Sequence, residues 1–202
     1  MKTVKIPVSF LVAYSAIVSV ILLFLLVSFK TPKSFNEDEI SLKRINITDE
    51  QGNIRLVISN EERTPPPILN GKEYKRAISP AGMIFYDKEG NECGGLALSS
   101  KDNTDISALV FDYSNMDALG MRVIDTKDGD YNAGFIINDP SPKGTLGRGS
   151  SRILLENSNG DAQLLLHDAE GNPRLKISVD EDGNASFNLL DKNGKVTKDV
   201  LK

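Results

Sequence analysis

Apolar and polar residues alternate with a period of two over most of the chain beyond residue 45. The alternation is clearest in Ile54–Ser59, Arg174–Val179 and Ala185–Leu189. Because successive side chains of a strand point to opposite faces, this pattern predicts strands with one buried and one solvated face. Shorter apolar segments predict further strands at Met83–Tyr86, Leu96–Leu98, Ala108–Phe111, Met121–Ile124, Phe135–Ile137, Ile153–Leu155 and Leu164–Leu166.

A recurrent turn motif, Asp-x-x-Gly-Asn/Lys, separates many of these segments. It begins at Asp49, Asp87, Asp168, Asp180 and Asp191, and a close variant begins at Asn157. Aspartate caps such a turn through its side chain, and glycine takes the left-handed conformation that closes a hairpin. We therefore assign a structural role to the turn glycines Gly52, Gly90, Gly160, Gly171, Gly183 and Gly194.

The regular spacing of these turns indicates the fold class. It predicts an all-β domain over residues 42–202, built as a meander of short hairpins. Three arrangements fit this pattern: a sandwich, a barrel-like sheet and a repeated-hairpin sheet. The repeat is too short for the named solenoid families.

The pattern differs at the start of the chain, where the run from Ile6 to Phe29 is apolar and uncharged. A helix of this length can cross the roughly 30 Å hydrocarbon core of a bilayer. We predict a transmembrane helix at 6–29, a tail at 1–5 and a juxtamembrane linker at 30–41. A cleaved signal peptide and a buried core helix remain alternatives, although the run is long and lacks a small-residue cleavage site.

Basic residues on both sides of the apolar run give mixed evidence on orientation. Lys2 and Lys5 favour a cytoplasmic amino terminus, whereas Lys30 and Lys33 oppose it. We expect the tail to be cytoplasmic, with the β-rich domain outside the cell membrane. The chain would then be a single-pass protein, with the membrane as its first partner.

Charge and cysteine content exclude several classes of partner and site. After Phe29 the chain carries 22 basic and 28 acidic residues, a net charge of −6. This balance argues against nucleic-acid binding, which needs a positive patch, and against lying flat on anionic lipid. The single cysteine, Cys93, excludes an intramolecular disulfide and any multi-cysteine metal site. We predict no metal and no cofactor.

Two long loops interrupt the strand pattern. The loop at Ser59–Pro80 contains Pro65, Pro66, Pro67 and Ile68, which form a stiff segment and a possible interaction loop. A rigid connector across the end of the sheet is the simpler interpretation of the prolines. The loop at Asn138–Ser151 is rich in glycine and serine but lacks the Gly-Lys-Ser/Thr ending of a phosphate-binding loop.

The sequence contains no recognisable catalytic motif, which favours a non-enzymatic role. His167 is the only histidine and has no local Ser or Cys partner, and Asp180–Asp182 resembles only part of a calcium loop. Paired carboxylates from the Asp87–Asp117 region remain a candidate for hydrolysis. Four tyrosines are candidate sugar-stacking platforms: Tyr74, Tyr86, Tyr113 and Tyr131.

Three segments carry a resemblance to other proteins. They are Arg-x-x-Ile-Ser-Asn at Arg55–Asn60, Ala-Gly-Met-Ile-Phe-Tyr at Ala81–Tyr86 and Asp-Tyr-Ser-Asn at Asp112–Asn115. On these segments the chain resembles a family of bacterial membrane-anchored or exported β-rich proteins with no assigned activity. The resemblance covers most of residues 42–195. It implies a bacterial origin but supplies no functional residues.

The leading hypothesis is therefore a membrane-tethered cell-envelope domain with a structural or protein-interaction role. Its partners would be an envelope protein, a glycan or a second copy of the chain. The alternatives are a glycan-binding module and a carboxylate-dependent envelope hydrolase.

Overall fold

The computed structural model describes residues 7–28 and 38–202 of the chain. The predicted tail at 1–5 and most of the predicted linker at 30–41 lie outside the described residues. The chain divides into two compact units, Met1–Ser41 and Leu42–Lys202.

The first unit contains one α-helix, α1, at Val8–Ser28. Its segment Val8–Leu26 is long and apolar enough to cross a membrane, and its described side chains are exposed. A helix that is apolar on every side needs an apolar environment. These properties fit a single-pass anchor, and a signal sequence shares them.

The second unit is almost entirely β-structure. A short 3-10 helix lies at Glu61–Arg63. The strands are β1 (Arg44–Thr48), β2 (Ile54–Ser59), β3 (Ile68–Leu69), β4 (Lys72–Glu73), β5 (Ala81–Tyr86), β6 (Glu92–Lys101), β7 (Thr104–Tyr113), β8 (Met116–Thr126), β9 (Tyr131–Asn138), β10 (Ser151–Ser158), β11 (Asp161–His167), β12 (Pro173–Val179), β13 (Ala185–Leu190) and β14 (Val196–Asp199).

Twelve of these strands form one antiparallel sheet in the order β1-β2-β5-β6-β7-β8-β9-β10-β11-β12-β13-β14. Each strand pairs with the next along the sequence, except where the small β3–β4 hairpin interrupts the connection from β2 to β5. The predicted all-β meander with an N-terminal helix is confirmed. The β-unit has one large antiparallel sheet, with β1 and β14 at its two edges. The sequence pattern did not predict β1, β3, β4 or β14.

The Asp-x-x-Gly-Asn/Lys turns share one geometry. At the first turn, Asp49 Oδ1 accepts hydrogen bonds from the backbone N–H groups of Gln51 at 3.1 Å and Asn53 at 2.8 Å. The hydrogen bond from the Asn53 side chain lowers the pKa of Asp49. The Asn157–Asp161 turn differs because Asn159 and Gly160 both have positive φ values, 50° and 96°, and form a two-residue hairpin loop.

One face of the large sheet is lined by continuous rows of apolar side chains. Directly paired residues of antiparallel strands lie on the same face, so the register identifies each row. The first row is Ile45, Ile58, Met83, Leu96, Leu109, Met121, Phe135, Leu155, Leu164, Ile177 and Phe187. The second row is Ile47, Leu56, Phe85, Gly94, Phe111, Leu119, Ile137, Ile153, Leu166, Leu175 and Leu189. We call the side of the sheet that carries these two rows the apolar face.

The opposite face holds the small buried core. Val57 is fully buried and pairs with Ile84, which is 5% exposed, and Tyr86 and Ile54 pack beside them. Prolines of the first long loop line a cleft together with Ile54 and Tyr86, so this loop lies against the same face. We call this side the loop-covered face.

Two glycines allow close approach within the sheet. Gly94 lies between Phe85 and Phe111 in the second row, and the two rings stack beside it with centroids 6.2 Å apart. At Gly82 the backbone has φ +145°, and an added Cβ would lie 1.9 Å from the carbonyl oxygen of Leu96. The β5–β6 pairing therefore requires glycine at position 82.

We expect Gly82→Ala to lower the free energy of unfolding by about 4 kcal/mol, because a backbone atom cannot yield cheaply to the new methyl group. Gly183→Ala is the matched control, since Gly183 also has positive φ but faces open space. It should cost only about 1–2 kcal/mol of conformational strain. Denaturant unfolding of the full-length chain in mild detergent, followed by circular dichroism, measures both. Equal costs would contradict the assigned close approach.

Candidate functional site

The two long loops of the β-unit meet at one cleft of about 240 Å³. Pro67 and Leu69 line it from the first loop, and Leu146 and Gly147 line it from the second. Its remaining wall comes from β6 and the β7–β8 hairpin: Glu92, Asp112, Tyr113, Asn115, Met116 and Asp117. Segments separated by about 80 positions in the sequence thus form one site.

A bidentate ion pair holds the first loop against the sheet. Arg76 donates to both carboxylate oxygens of Glu92 on β6, with Nη1 at 3.1 Å from Oε1. Arg76 Nε also donates to the carbonyl oxygen of Pro65 at 3.0 Å. The two charged side chains are only 16% and 13% exposed. This paired geometry fixes the position of the proline segment more firmly than a surface ion pair would.

Asn115, at the tip of the β7–β8 hairpin, holds the second loop. Its side chain donates to the Ser141 carbonyl at 2.9 Å and accepts from the Ser141 N–H at 3.2 Å. Its own carbonyl accepts from the N–H of Gly147 at 3.0 Å. Ser141 is only 6% exposed. The loop is therefore fixed where it borders the cleft.

Asp112 and Asp117 face each other across the β7–β8 hairpin as direct cross-strand partners. Asp112 Oδ1 is buried, and it has no hydrogen-bond partner among the described residues. Burial, followed by the charges of Asp117 and Glu92, raises the pKa of Asp112 to about 7, against a smaller opposing effect of Arg76. Burial and the neighbouring carboxyl groups disfavour the ionised form, so Asp112 is mostly protonated only below about pH 7.

The carboxyl groups of Asp112, Asp117 and Glu92 are suited to proton transfer. A protonated carboxyl beside ionised ones can donate a proton or a hydrogen bond at neutral pH. Asp112 also lines a second, adjoining cleft of about 140 Å³ together with Asp87, Asn91 and Cys93. Burial raises the pKa of the Cys93 thiol, with smaller contributions from Asp87 and Asp112. A raised pKa disfavours the nucleophilic thiolate.

The proposed interaction segment at Pro65–Ile68 is half-buried. Pro65, Pro66 and Ile68 line a third cleft, of about 400 Å³, with Tyr86. The segment therefore contacts its own sheet through part of its surface. An interaction through its exposed part stays a prediction.

The other candidate residues are scattered over the β-unit. His167 is half-buried at the end of β11, where its carbonyl accepts from Arg152 Nε at 3.1 Å. Among the sugar-stacking candidates, Tyr86 is buried, whereas Tyr113 is 39% exposed and borders the 240 Å³ cleft lined by Glu92, Asp112 and Asp117, which we call the carboxylate cleft. Over residues 7–28 and 38–202, no group of three or more His, Cys, Asp or Glu side chains could hold a metal ion.

Comparison of the chain with protein-family models, with curated proteins and with solved structures gives no match.

Sequence reasoning drew attention to the Asp87–Asp117 region but did not single out the Asp112–Asp117 pair. The short distance in sequence between Asp112 and Asp117 is compatible with cross-strand pairing over a tight turn. It does not show which of the two carboxyl groups is buried. Arg76 and Asn115 were not identified as site residues. Arg76 belongs to no motif, and the Asp-Tyr-Ser-Asn segment that ends at Asn115 assigned that residue no role. The partners that both residues bind lie in other segments of the chain.

Titration of Asp112 should make stability depend on pH. Its folded-state pKa, about 7, lies above the ordinary value of 3.8. The stabilising contribution of the bound proton is therefore fully present below about pH 4 and is lost as pH rises through about 7. We expect the unfolding midpoint to fall more steeply from pH 5 to pH 8 in the natural chain than in Asp112→Asn, which cannot titrate.

The control for this experiment is Asp105→Asn, which removes an exposed carboxylate from the same strand. It should keep the pH dependence of the natural chain. Identical profiles for Asp112→Asn and the natural chain would contradict the raised pKa.

Proposed function

We propose that this chain is a membrane-tethered cell-envelope β-domain with a structural or protein-interaction role. One observation carries the proposal: the apolar face is exposed along the middle of the sheet. Met121 is 53% exposed and Leu155 is 54% exposed. Large contiguous apolar patches on soluble domains are typical of interaction surfaces.

Helix α1 supports the tether in this proposal. With α1 retained in the bilayer, the β-unit would be confined to a layer beside the membrane, and its effective concentration for partners there would rise. Weak contacts then suffice for a stable association. We further propose that the β-unit lies outside a bacterial cell membrane, on the basis of Lys2 and Lys5 before the apolar run.

Crosslinking in native membranes tests this role. We expect the tagged full-length chain to yield a reproducible crosslinked protein species, identified by mass spectrometry. Its yield should fall at least fivefold when Met121→Glu and Leu155→Glu introduce charge into the apolar face. Arg122→Glu, on the loop-covered face of β8, is the matched control and should leave the yield unchanged. Recovery of only the uncrosslinked 22.1 kDa chain would contradict an interaction role.

The carboxylate cleft favours a second candidate function, an envelope hydrolase acting on polysaccharide or peptide. Glycosidases use two carboxyl groups, one of which has a raised pKa and acts as general acid. Asp112 would be that acid and Asp117 the base or nucleophile. The glycan-binding alternative would use the same cleft, because Tyr113 borders it.

Hydrolysis of a fluorescently labelled bacterial cell-wall polysaccharide by the full-length chain tests the second candidate. The rate should fall as pH rises through about 7, since the acid must be protonated. Asp112→Asn should lower the rate by about 100-fold or more, whereas Asp105→Asn should not change it. Absence of turnover in the natural chain, or equal turnover in Asp112→Asn, would reject Asp112 as the catalytic acid on this substrate.

A further inference from the structure

The two rows of the apolar face contain no charged residue from Ile45 and Ile47 on β1 to Phe187 and Leu189 on β13. The residues that alternate with the two rows lie on the other side and include charged and polar ones: Arg122 pairs with Gly134, and Glu156 pairs with Gly134 and Gln163. The exposed large apolar side chains of β8, β10 and β12 all lie on the apolar face, and they are Leu119, Met121, Val123, Leu155, Ile177 and Val179.

The dimensions of this face match a protein interface. Neighbouring strands are about 4.8 Å apart, so rows that run from β1 to β13 extend for roughly 50 Å. Two rows two residues apart, with their side-chain margins, are roughly 15 Å wide. The face therefore presents about 750 Å², close to the roughly 800 Å² that each partner buries in a stable complex.

The described part of the β-unit leaves this face open. The first long loop lies against the loop-covered face. The second long loop meets the first one at the carboxylate cleft. A single-layer sheet normally requires a second layer over its apolar side.

Charge distinguishes between the possible occupants. Beyond the two rows, Asp105 and Asp125 are paired on the same face, and the β-unit as a whole is acidic. Surfaces that bind lipid carry basic residues beside their apolar area. The acidic residues beside these two rows therefore disfavour binding to an anionic membrane. A second copy has an apolar face of the same length and row spacing. Because the two rows are uncharged, contact between the rows of two copies places no charged side chain in the centre of the interface.

We infer that a second copy of this chain packs on the apolar face, with the two sheets stacked about 10 Å apart. The inference deepens the proposed interaction role, on which it rests, by naming the partner. A two-fold axis through such an interface brings equivalent central residues together. Met121 on β8 and Phe135 on β9 are direct partners near the middle of the sheet, so each would lie beside its counterpart in the other copy.

Site-directed crosslinking of the full-length chain in membranes tests this geometry. In a Cys93→Ser background, Met121→Cys should crosslink efficiently to a second copy with a bismaleimide that spans about 10 Å, the sheet-to-sheet distance. Arg122→Cys, one residue further along β8 on the opposite face, controls for random collisions and should crosslink at least fivefold less. Equal yields at the two positions, or no dimer from Met121→Cys, would overturn the inference.

The mass of the full-length chain in detergent provides a second measurement. We expect a multiple of 22.1 kDa for the natural chain and for Arg122→Glu. Met121→Glu with Leu155→Glu should shift the protein to monomer while keeping its β-sheet circular dichroism. If that variant fails to fold, the cysteine crosslink decides the question. A monomeric natural chain would overturn the inference.

The outcomes separate this inference from the proposed function. If the chain is monomeric and Met121→Cys gives no self-crosslink, yet native membranes yield a different crosslinked protein, the second-copy inference fails and the interaction role stands. If neither experiment yields a crosslinked species, both fail. A Met121→Cys crosslink to itself that exceeds the Arg122→Cys control supports both.

Discussion

The register between consecutive strands is the constraint on which the structure of the β-unit depends. Each strand of the large sheet pairs with its neighbour in the chain, and paired side chains lie on the same face. A shift of one residue in any hairpin would move its apolar side chains to the other face. Tight turns with aspartate caps and positive-φ glycines fix the loop length, and so the register, of the β1–β2, β5–β6, β11–β12 and β12–β13 hairpins.

The two faces of the sheet have different environments as a result. On the loop-covered face, the Arg76–Glu92 ion pair and the Asn115 hydrogen bonds hold two long loops in place and enclose the carboxylate cleft. Only four hydrophobic residues are buried among those described, Val57, Ile84, Tyr86 and Leu190, and none belongs to the apolar face. The β-unit thus keeps a small core on one side and a large apolar surface on the other. This asymmetry is the basis for proposing an interaction module.

The carboxylate cleft and the apolar face lead to different experiments because they depend on different physics. Desolvation and neighbouring charges set the pKa of Asp112, so its protonation is tested by the pH dependence of stability and of hydrolysis. Association through the apolar face would be driven by the removal of hydrocarbon from water. It is therefore tested by measuring association directly and by introducing a charge into the face. A variant in one region is not expected to alter the other, since Asp112 and Met121 lie on different strands and different faces.

Local features could be predicted from the sequence alone: the apolar helix near the amino terminus, the strands with period-two alternation and the turns between them. These depend on short-range properties such as side-chain alternation, backbone conformation and aspartate capping. The edge strands β1 and β14 escaped prediction because they are short and flank the regular pattern. Three features could be seen only in the folded structure: the sheet is a single open layer, Asp112 is buried opposite Asp117, and Arg76 binds Glu92. Each of them depends on contacts between different segments of the chain, which the local sequence pattern does not reveal.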